Sequence, residues 1–196
     1  MSAREEMLGR IREALGAAPV APEIPRGYRI AGRVAGGTPE LVELFCERVA
    51  DYQATVARTD DERLQDAIVA ACASRGSTRV VRAPGGDELT PAELDDVDAA
   101  ITGCALAIAE TGTIVLDGGP DSGRRALTLV PDHHICVVRA EQVVADLPDA
   151  IERLADAARE GRPLTFVSGP SATSDIELER VEGVHGPRKL DVLVVG

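Results

Sequence analysis

The stretch "AIAETGTIVLDGG", Ala107–Gly119, decides the fold. Two apolar runs, Ala105–Ala109 and Thr113–Leu116, flank Glu110-Thr111-Gly112. Neither run alternates apolar with polar residues, the pattern of strands covered on both faces. The spacing therefore predicts two buried strands joined by a tight connection or a bulge. Gly112 suits that connection because glycine tolerates a positive φ. Glu110 has two readings at this point. It is a surface carboxylate beside a turn, or it is a carboxylate held by rigid strand ends, able to act as base, nucleophile or acceptor for a substrate hydroxyl.

Working outward, "CALAIA" (104–109), "TIVL" (113–116), "HICVVR" (134–139), "LTFVSG" (164–169) and "DVLVVG" (191–196) form one class of buried strand, and "TRVVRA" (78–83) adds a short one. Helical spacing separates some of them. Pro39 starts a helix through Leu41, Val42, Phe45, Cys46 and Val49. Asp60 or Asp61 caps a helix through Leu64, Ile68 and Cys72 that ends before Gly76. Thr90-Pro91-Ala92-Glu93 has the capping-box spacing. A helix from Asp146 turns Leu147, Ile151, Leu154 and Ala158 inward. Strands alternating with helices indicate an α/β layered domain with a largely parallel sheet flanked by helices.

Upstream, Met7, Leu8, Ile11, Ala14 and Leu15 mark an amphipathic helix over 2–15. The segment "GAAPVAPEIPRGYRIAGRVAGG", Gly16–Gly37, is an extended connector rich in Pro and Gly. The expected organisation is an N-terminal helix (1–16), a connector (17–37) and one α/β domain (38–196), the helix either packing back or reaching another chain.

Composition narrows the function classes. The 196 residues carry a net charge of −12 and only four aromatic side chains. An acidic chain poor in aromatics suits neither phosphate-backbone binding nor base stacking. Residues 87–98 hold six acids and no base, a solvated face or a docking surface for a basic partner. Four cysteines occur without a CxxC pair, so zinc and iron–sulfur ligand patterns are absent from this chain. With no signal peptide and no long apolar span, the expectation is a reduced, cytoplasmic protein without a membrane span. Lys189 is the only lysine, there is no G-x-G, and there is no P-loop. Pyridoxal-phosphate and dinucleotide chemistry are accordingly disfavoured, and no cofactor is evident.

Two further loops join Glu110 as candidates. In "FVSGPSATSDIELERV" (166–181) a strand runs into a Gly-Pro-Ser turn, and Ser174-Asp175-Ile176-Glu177 has capping-box spacing. Ser168, Ser171 and Thr173 add hydroxyls near a predicted helix N-terminus, which favours an anion. The end of such a strand is also where α/β sheets bind ligands. In "GVHGPRKL" (183–190) Gly183 and Gly186 bracket His185, with Arg188 and Lys189 behind. His133 and His134, adjacent in a strand, point to opposite faces and make a poor metal pair.

Taken in order, "ALAIAETGTIVL", "LVPDHHICVV", "SGPSATSDIE" and "GVHGP" resemble the lactate utilization domain in its short, single-domain form, the lactate utilization protein C family. "SAREEMLGRIREALG" and "LVELFCERV" are similar to that form as well, so the resemblance spans nearly the whole chain. It implies a fold related to the ribose-phosphate isomerase, glucosamine-phosphate deaminase and CoA-transferase group. It implies a part in bacterial oxidation of L-lactate to pyruvate alongside partner proteins that carry the iron–sulfur clusters. The family's motif positions fall on Glu110, Thr111, Gly112, Thr113, Gly169, Pro170, Ser171, Thr173, Asp175, His185, Gly186 and Pro187. The expected site therefore has Glu110 and His185 as catalytic candidates. Its ligand-binding candidates are Thr111, Gly112, Thr113, Ser168, Gly169, Pro170, Ser171, Thr173, Asp175, Gly186 and Arg188, around a small anionic metabolite.

Three functions fit these residues. The first is a subunit of a lactate-oxidising assembly with iron–sulfur partners. The second is a stand-alone isomerase- or CoA-transferase-type enzyme of small acids or sugar phosphates, with Glu110 as base or nucleophile. The third is a module that senses a small acid.

Overall fold

The structure is a computed structural model, and residues 2–16, 23–27, 36–173, 181–183 and 185–196 are described. Helix α1, Ala3–Leu15, starts on a capping box in which Ser2 and Glu5 satisfy each other's backbone amides. None of its residues is buried, and Met7, Ile11 and Leu15 stay exposed. The elements that follow build two sheets. They are α2 (Pro39–Asp51), β1 (Thr55–Thr59), α3 (Leu64–Arg75), β2 (Val80–Arg82), α4 (Pro91–Asp95), β3 (Ala99–Thr102), β4 (Leu106–Ile108), β5 (Thr113–Leu116), β6 (His133–Arg139), β7 (Val143–Val144), α5 (Leu147–Arg159), β8 (Thr165–Val167), β9 (Ala172–Thr173), β10 (Val181–Glu182) and β11 (Lys189–Val195).

Five strands form a wholly parallel sheet in the order β1-β11-β6-β3-β2. A second, four-stranded sheet runs β7-β4-β5-β8, with β5 antiparallel to both of its neighbours. A two-stranded pair, β9 with β10, stands apart. The α/β architecture with a parallel sheet flanked by helices is thus as expected, and the mixed second sheet is an addition.

Strand alternation assigns each side of the parallel sheet a partner. Ile101, Ile135 and Leu193 pack on Ile68 and its neighbours in α3. Cys136, Val138, Leu190, Val192 and Val194 face the mixed sheet and α2, where they meet Ala107, Ala109, Ile114, Leu116 and the fully buried Phe45. The far side of the mixed sheet, Leu106, Ile108, Val115 and Val144, rests on Ala150 and Leu154 of α5. The layers are therefore α3, parallel sheet, mixed sheet and α5, each joined to the next by an aliphatic core.

Several expectations change. Helix α5 starts at its Asp146 cap as predicted but is rotated: Ala150, Leu154 and Ala157 are buried, while Leu147, Ile151 and Ala158 are exposed. Two alanines on the inner face let the helix come close to the sheet, which larger side chains would prevent. Strand β8 is an edge strand rather than a doubly covered one, and its Phe166 is 44% exposed. Helix α3 begins at Leu64. Asp60 instead accepts from the Arg63 amide (2.9 Å) in the turn before it. Strands β1, β3 and β7 carry no strong sequence signal. Within the acidic run, Asp87 accepts from the Arg124 amide, Glu93 caps Thr90, and Asp98 gathers Thr78 and the Arg79 amide.

Candidate functional site

The β4–β5 hairpin places the Glu-Thr-Gly motif against α2. Gly112 has φ 57°, and a Cβ there would lie 2.6 Å from the backbone carbon of Arg48. Both facts require glycine. Glu110 donates its backbone N–H to Ala145 (3.0 Å), while its side chain stands exposed on the turn. Thr111 and Thr113 behave differently. Their hydroxyls lie 2.7 Å apart, and that of Thr113 lies 2.7 Å from the Ser168 hydroxyl. The β5–β8 pairing brings Thr113 to Ser168, so the motif anchors the loop that follows β8.

That loop turns at Gly169, where φ is 95° and a Cβ would approach Tyr52 to 2.7 Å. It is then joined to the His185 loop at a single residue. The Ser171 amide donates to the Pro187 carbonyl (2.8 Å), the Ser171 carbonyl accepts from Gly183 (3.0 Å), and the Ser171 hydroxyl accepts from the His185 amide (3.1 Å).

Beneath the joined loops lies a cavity of about 200 Å³. Gly169 to Ala172 and His185 to Pro187 form its rim; Phe166, Val167 and Leu190 form apolar wall. Its polar floor comes from Arg125, Thr128 and His134. Arg125 and Thr128 belong to a short 3-10 helix, Arg125–Thr128. Arg125 Nη1 donates to the Thr128 carbonyl (2.7 Å) and hydroxyl (2.9 Å). This fixes the guanidinium and leaves Nε and Nη2 outside those bonds. Burial lowers the Arg125 pKa from its ordinary value, yet a guanidinium keeps its charge. Among the described residues no carboxylate pairs with it. His134 is almost fully buried, with Nε2 2.8 Å from the Thr102 hydroxyl. Burial first, then the charges of His133 and Arg125, bring its pKa down to about 3, so the ring is neutral at physiological pH.

Gly169, Pro170, Ser171, His185 and Gly186 of the expected site line this cavity. Thr111, Thr113 and Ser168 form the hydroxyl chain described above. Glu110 and Gly112 are not among its lining residues. Arg188 donates to Asp132 (2.6 Å), which Lys189 also approaches. Thr173 enters β9 through its backbone. Asp175, and the helix expected after Ser174, lie outside the described residues. The position of the cavity also differs from expectation. It lies past the end of β8, but beside the first residues of β6 and β11, because β8 belongs to the mixed sheet and not to the parallel one. Arg125, Thr128 and His134 were missed as binding residues. The one available signal was a pair of adjacent arginines in an acidic chain. Arg124 is engaged with Asp87 and the Leu89 carbonyl, and Arg125 faces the cavity.

The family model described as the LUD domain matches residues 83–195, more than half of the chain and the whole cavity lining. The chain belongs to the LUD domain family. It is 46% identical to Lactate utilization protein C of Deinococcus radiodurans, over 99% of this chain and 96% of that protein. It is 32% identical to Lactate utilization protein C 1 of Bacillus mycoides, over 79% of this chain and 69% of that one. A crystal structure of a DUF162 family protein from Deinococcus radiodurans superimposes with a TM-score of 0.68 at 44% identity, covering 80% of this chain and 97% of that one.

Within the LUD domain, the face of β6 opposite to His134 is closed. His133 Nε2 lies 2.9 Å from Asp191 Oδ2, and Nδ1 lies 2.9 Å from the Ser77 hydroxyl. Arg75 reaches Asp191 Oδ1 (3.4 Å) and the Thr55 hydroxyl (2.8 Å). Burial pushes the Asp191 carboxyl up, but the His133 hydrogen bond and charge, together with Thr55 and Arg75, outweigh it and hold the group below the usual carboxylate range. Both ring nitrogens and both carboxylate oxygens have partners. The network pins β11 to β6 and to the end of α3. Among the described residues no group of three His, Cys, Asp or Glu side chains is placed to hold a metal ion, and no helix is long and apolar enough to cross a membrane.

Proposed function

We propose that this LUD-domain protein acts in lactate utilization. In this reading it is a cytoplasmic subunit that supports oxidation of L-lactate to pyruvate with iron–sulfur partner proteins, and it holds a small anionic metabolite in its own cavity. The names of its relatives support the metabolic role. The observation that carries the binding role is Arg125, a fixed guanidinium on the cavity floor with no carboxylate partner among the described residues. A half-buried cation without a counter-ion is partly desolvated, and an anionic occupant offsets that cost. The chain's own residues would bind and orient the anion, and a partner's iron–sulfur cluster would accept the electrons of its oxidation.

The stand-alone enzyme reading needs Glu110 beside the ligand, and the exposed position of that side chain on the hairpin turn gives it no support. Deletion of the gene tests the metabolic role. Growth on L-lactate as sole carbon source should be lost, and should return with the wild-type gene but not with Arg125→Gln. A pull-down from lactate-grown cells should recover Cys-rich iron–sulfur proteins. Unimpaired growth of the deletion strain on lactate would refute the proposal.

A further inference from the structure

We infer that the cavity under the Ser171–His185 junction is selective for short monocarboxylates bearing an oxygen at C2, with Arg125 as carboxylate anchor and His134 as reader of the second oxygen. The inference rests on the anion-binding reading above and adds the class of ligand and the residues that select it.

Four observations fix the class. The volume, about 200 Å³, suits a molecule of a few heavy atoms and is too small to enclose a nucleotide or an acyl-CoA. With Nη1 engaged by Thr128, Arg125 offers Nε and Nη2, the side-on pair of donors that matches the two oxygens of one carboxylate. Two of the loop amides at the rim are already engaged, Ser171 on Pro187 and His185 on the Ser171 hydroxyl, which leaves fewer donors for the three oxygens of a phosphate than a phosphate-binding loop supplies. The remaining wall is apolar at Phe166, Val167 and Leu190, which suits a methyl group and disfavours a second carboxylate.

His134 supplies the second recognition element. Its Nε2 is tied to Thr102, which fixes the ring plane and leaves the other nitrogen for an occupant. The ring is neutral, so it can donate to or accept from a hydroxyl or oxo group, and it cannot act as a second cation for a dicarboxylate. An acid without an oxygen at C2 leaves this nitrogen unpaired, and discrimination of this kind rests on that loss.

The test is calorimetric titration of the purified full-length protein with pyruvate, L-lactate, propionate, malonate and inorganic phosphate. Pyruvate or L-lactate should bind about fivefold or more tightly than propionate. Malonate and phosphate should bind more weakly still. Arg125→Gln should weaken binding of all monocarboxylates by about tenfold to a hundredfold. His134→Gln should erase the preference over propionate while propionate affinity stays within about twofold, with thermal melts reporting that both variants fold. Equal affinity for propionate and pyruvate, tighter binding of phosphate, or no monocarboxylate binding by the wild-type protein would overturn the inference. The two claims fail separately. Loss of growth on lactate without acid binding overturns the inference and leaves the metabolic role standing, whereas binding of phosphate in place of the acids overturns the inference and leaves the anion-binding reading; acid binding without a growth phenotype overturns only the metabolic role.

Discussion

His133 and His134 are consecutive residues of β6, both almost fully buried, and their chemistry is opposite. His133 faces the α3 side, where Asp191, Ser77 and Arg75 complete a network that pairs both ring nitrogens and both carboxylate oxygens. His134 faces the mixed-sheet side, holds one hydroxyl and borders a cavity whose guanidinium has no described counter-ion. Strand alternation puts the two rings on different faces. What surrounds each face then makes one a structural tie and the other part of a binding site. A buried polar group closed on its partners contributes to stability when intact and is costly when broken, whereas one left open is a place for a ligand.

The largest expected effect breaks the closed side. Asp191→Ala leaves His133 and Arg75 without their carboxylate and should cost about 3–5 kcal/mol in urea unfolding. Monocarboxylate affinity of the folded fraction should change by less than about twofold.

Next comes pH. The folded pKa of His134, about 3, lies below the ordinary 6.5. Between those values the unfolded chain takes up a proton that the folded chain refuses, so stability falls as pH falls, by about 1.4 kcal/mol per unit. His134→Gln should flatten the slope between about pH 6 and pH 4. Asp191, with its pKa depressed, contributes stability that is lost only at lower pH, as the carboxylate titrates below its usual range. Asp191→Ala should therefore retain the slope between about pH 6 and pH 4. If both variants lost it, the two faces would not be independent.

Gly112→Ala should cost about 2–3 kcal/mol, because the new methyl group meets the α2 backbone at a positive φ. The damage should reach the cavity through the Thr113–Ser168 link, weakening ligand binding as well. Arg125→Gln should have the smallest effect on stability, within about 1 kcal/mol, since it removes a hydrogen-bonded cation whose main partner is the ligand.

Much of the fold was legible because β4, most of β5 and the stretches 135–138 of β6 and 192–195 of β11 are apolar runs without alternation, the mark of strands covered on both faces. Strand β3 was hidden because its two leading alanines carry little strand preference and owe their state to the neighbours on either side. The mixed sheet was hidden for a similar reason, as nothing local says that β8 will pair antiparallel with β5. The orientation of α5 misled because Leu147 and Ile151 continue the apolar period on its outer face. At the site, the glycine turns and the His185 loop could be recognised from local chemistry. Arg125 could not, because its role arises only when the 3-10 turn of residues 125–128 sets it below a loop some 45 residues further along. Glu110 stood out as a carboxylate between apolar runs, but a hairpin turn gave it a route to solvent without desolvation.

The most direct test uses the fact that the chain has only three histidines. With ring-labelled histidine, the NMR signals of His133, His134 and His185 can be followed while pyruvate is added. The account predicts that the signals of His134 and His185 move and saturate together while that of His133 stays fixed. Movement of His133 without His134, or no movement of any ring at saturating pyruvate, would contradict it.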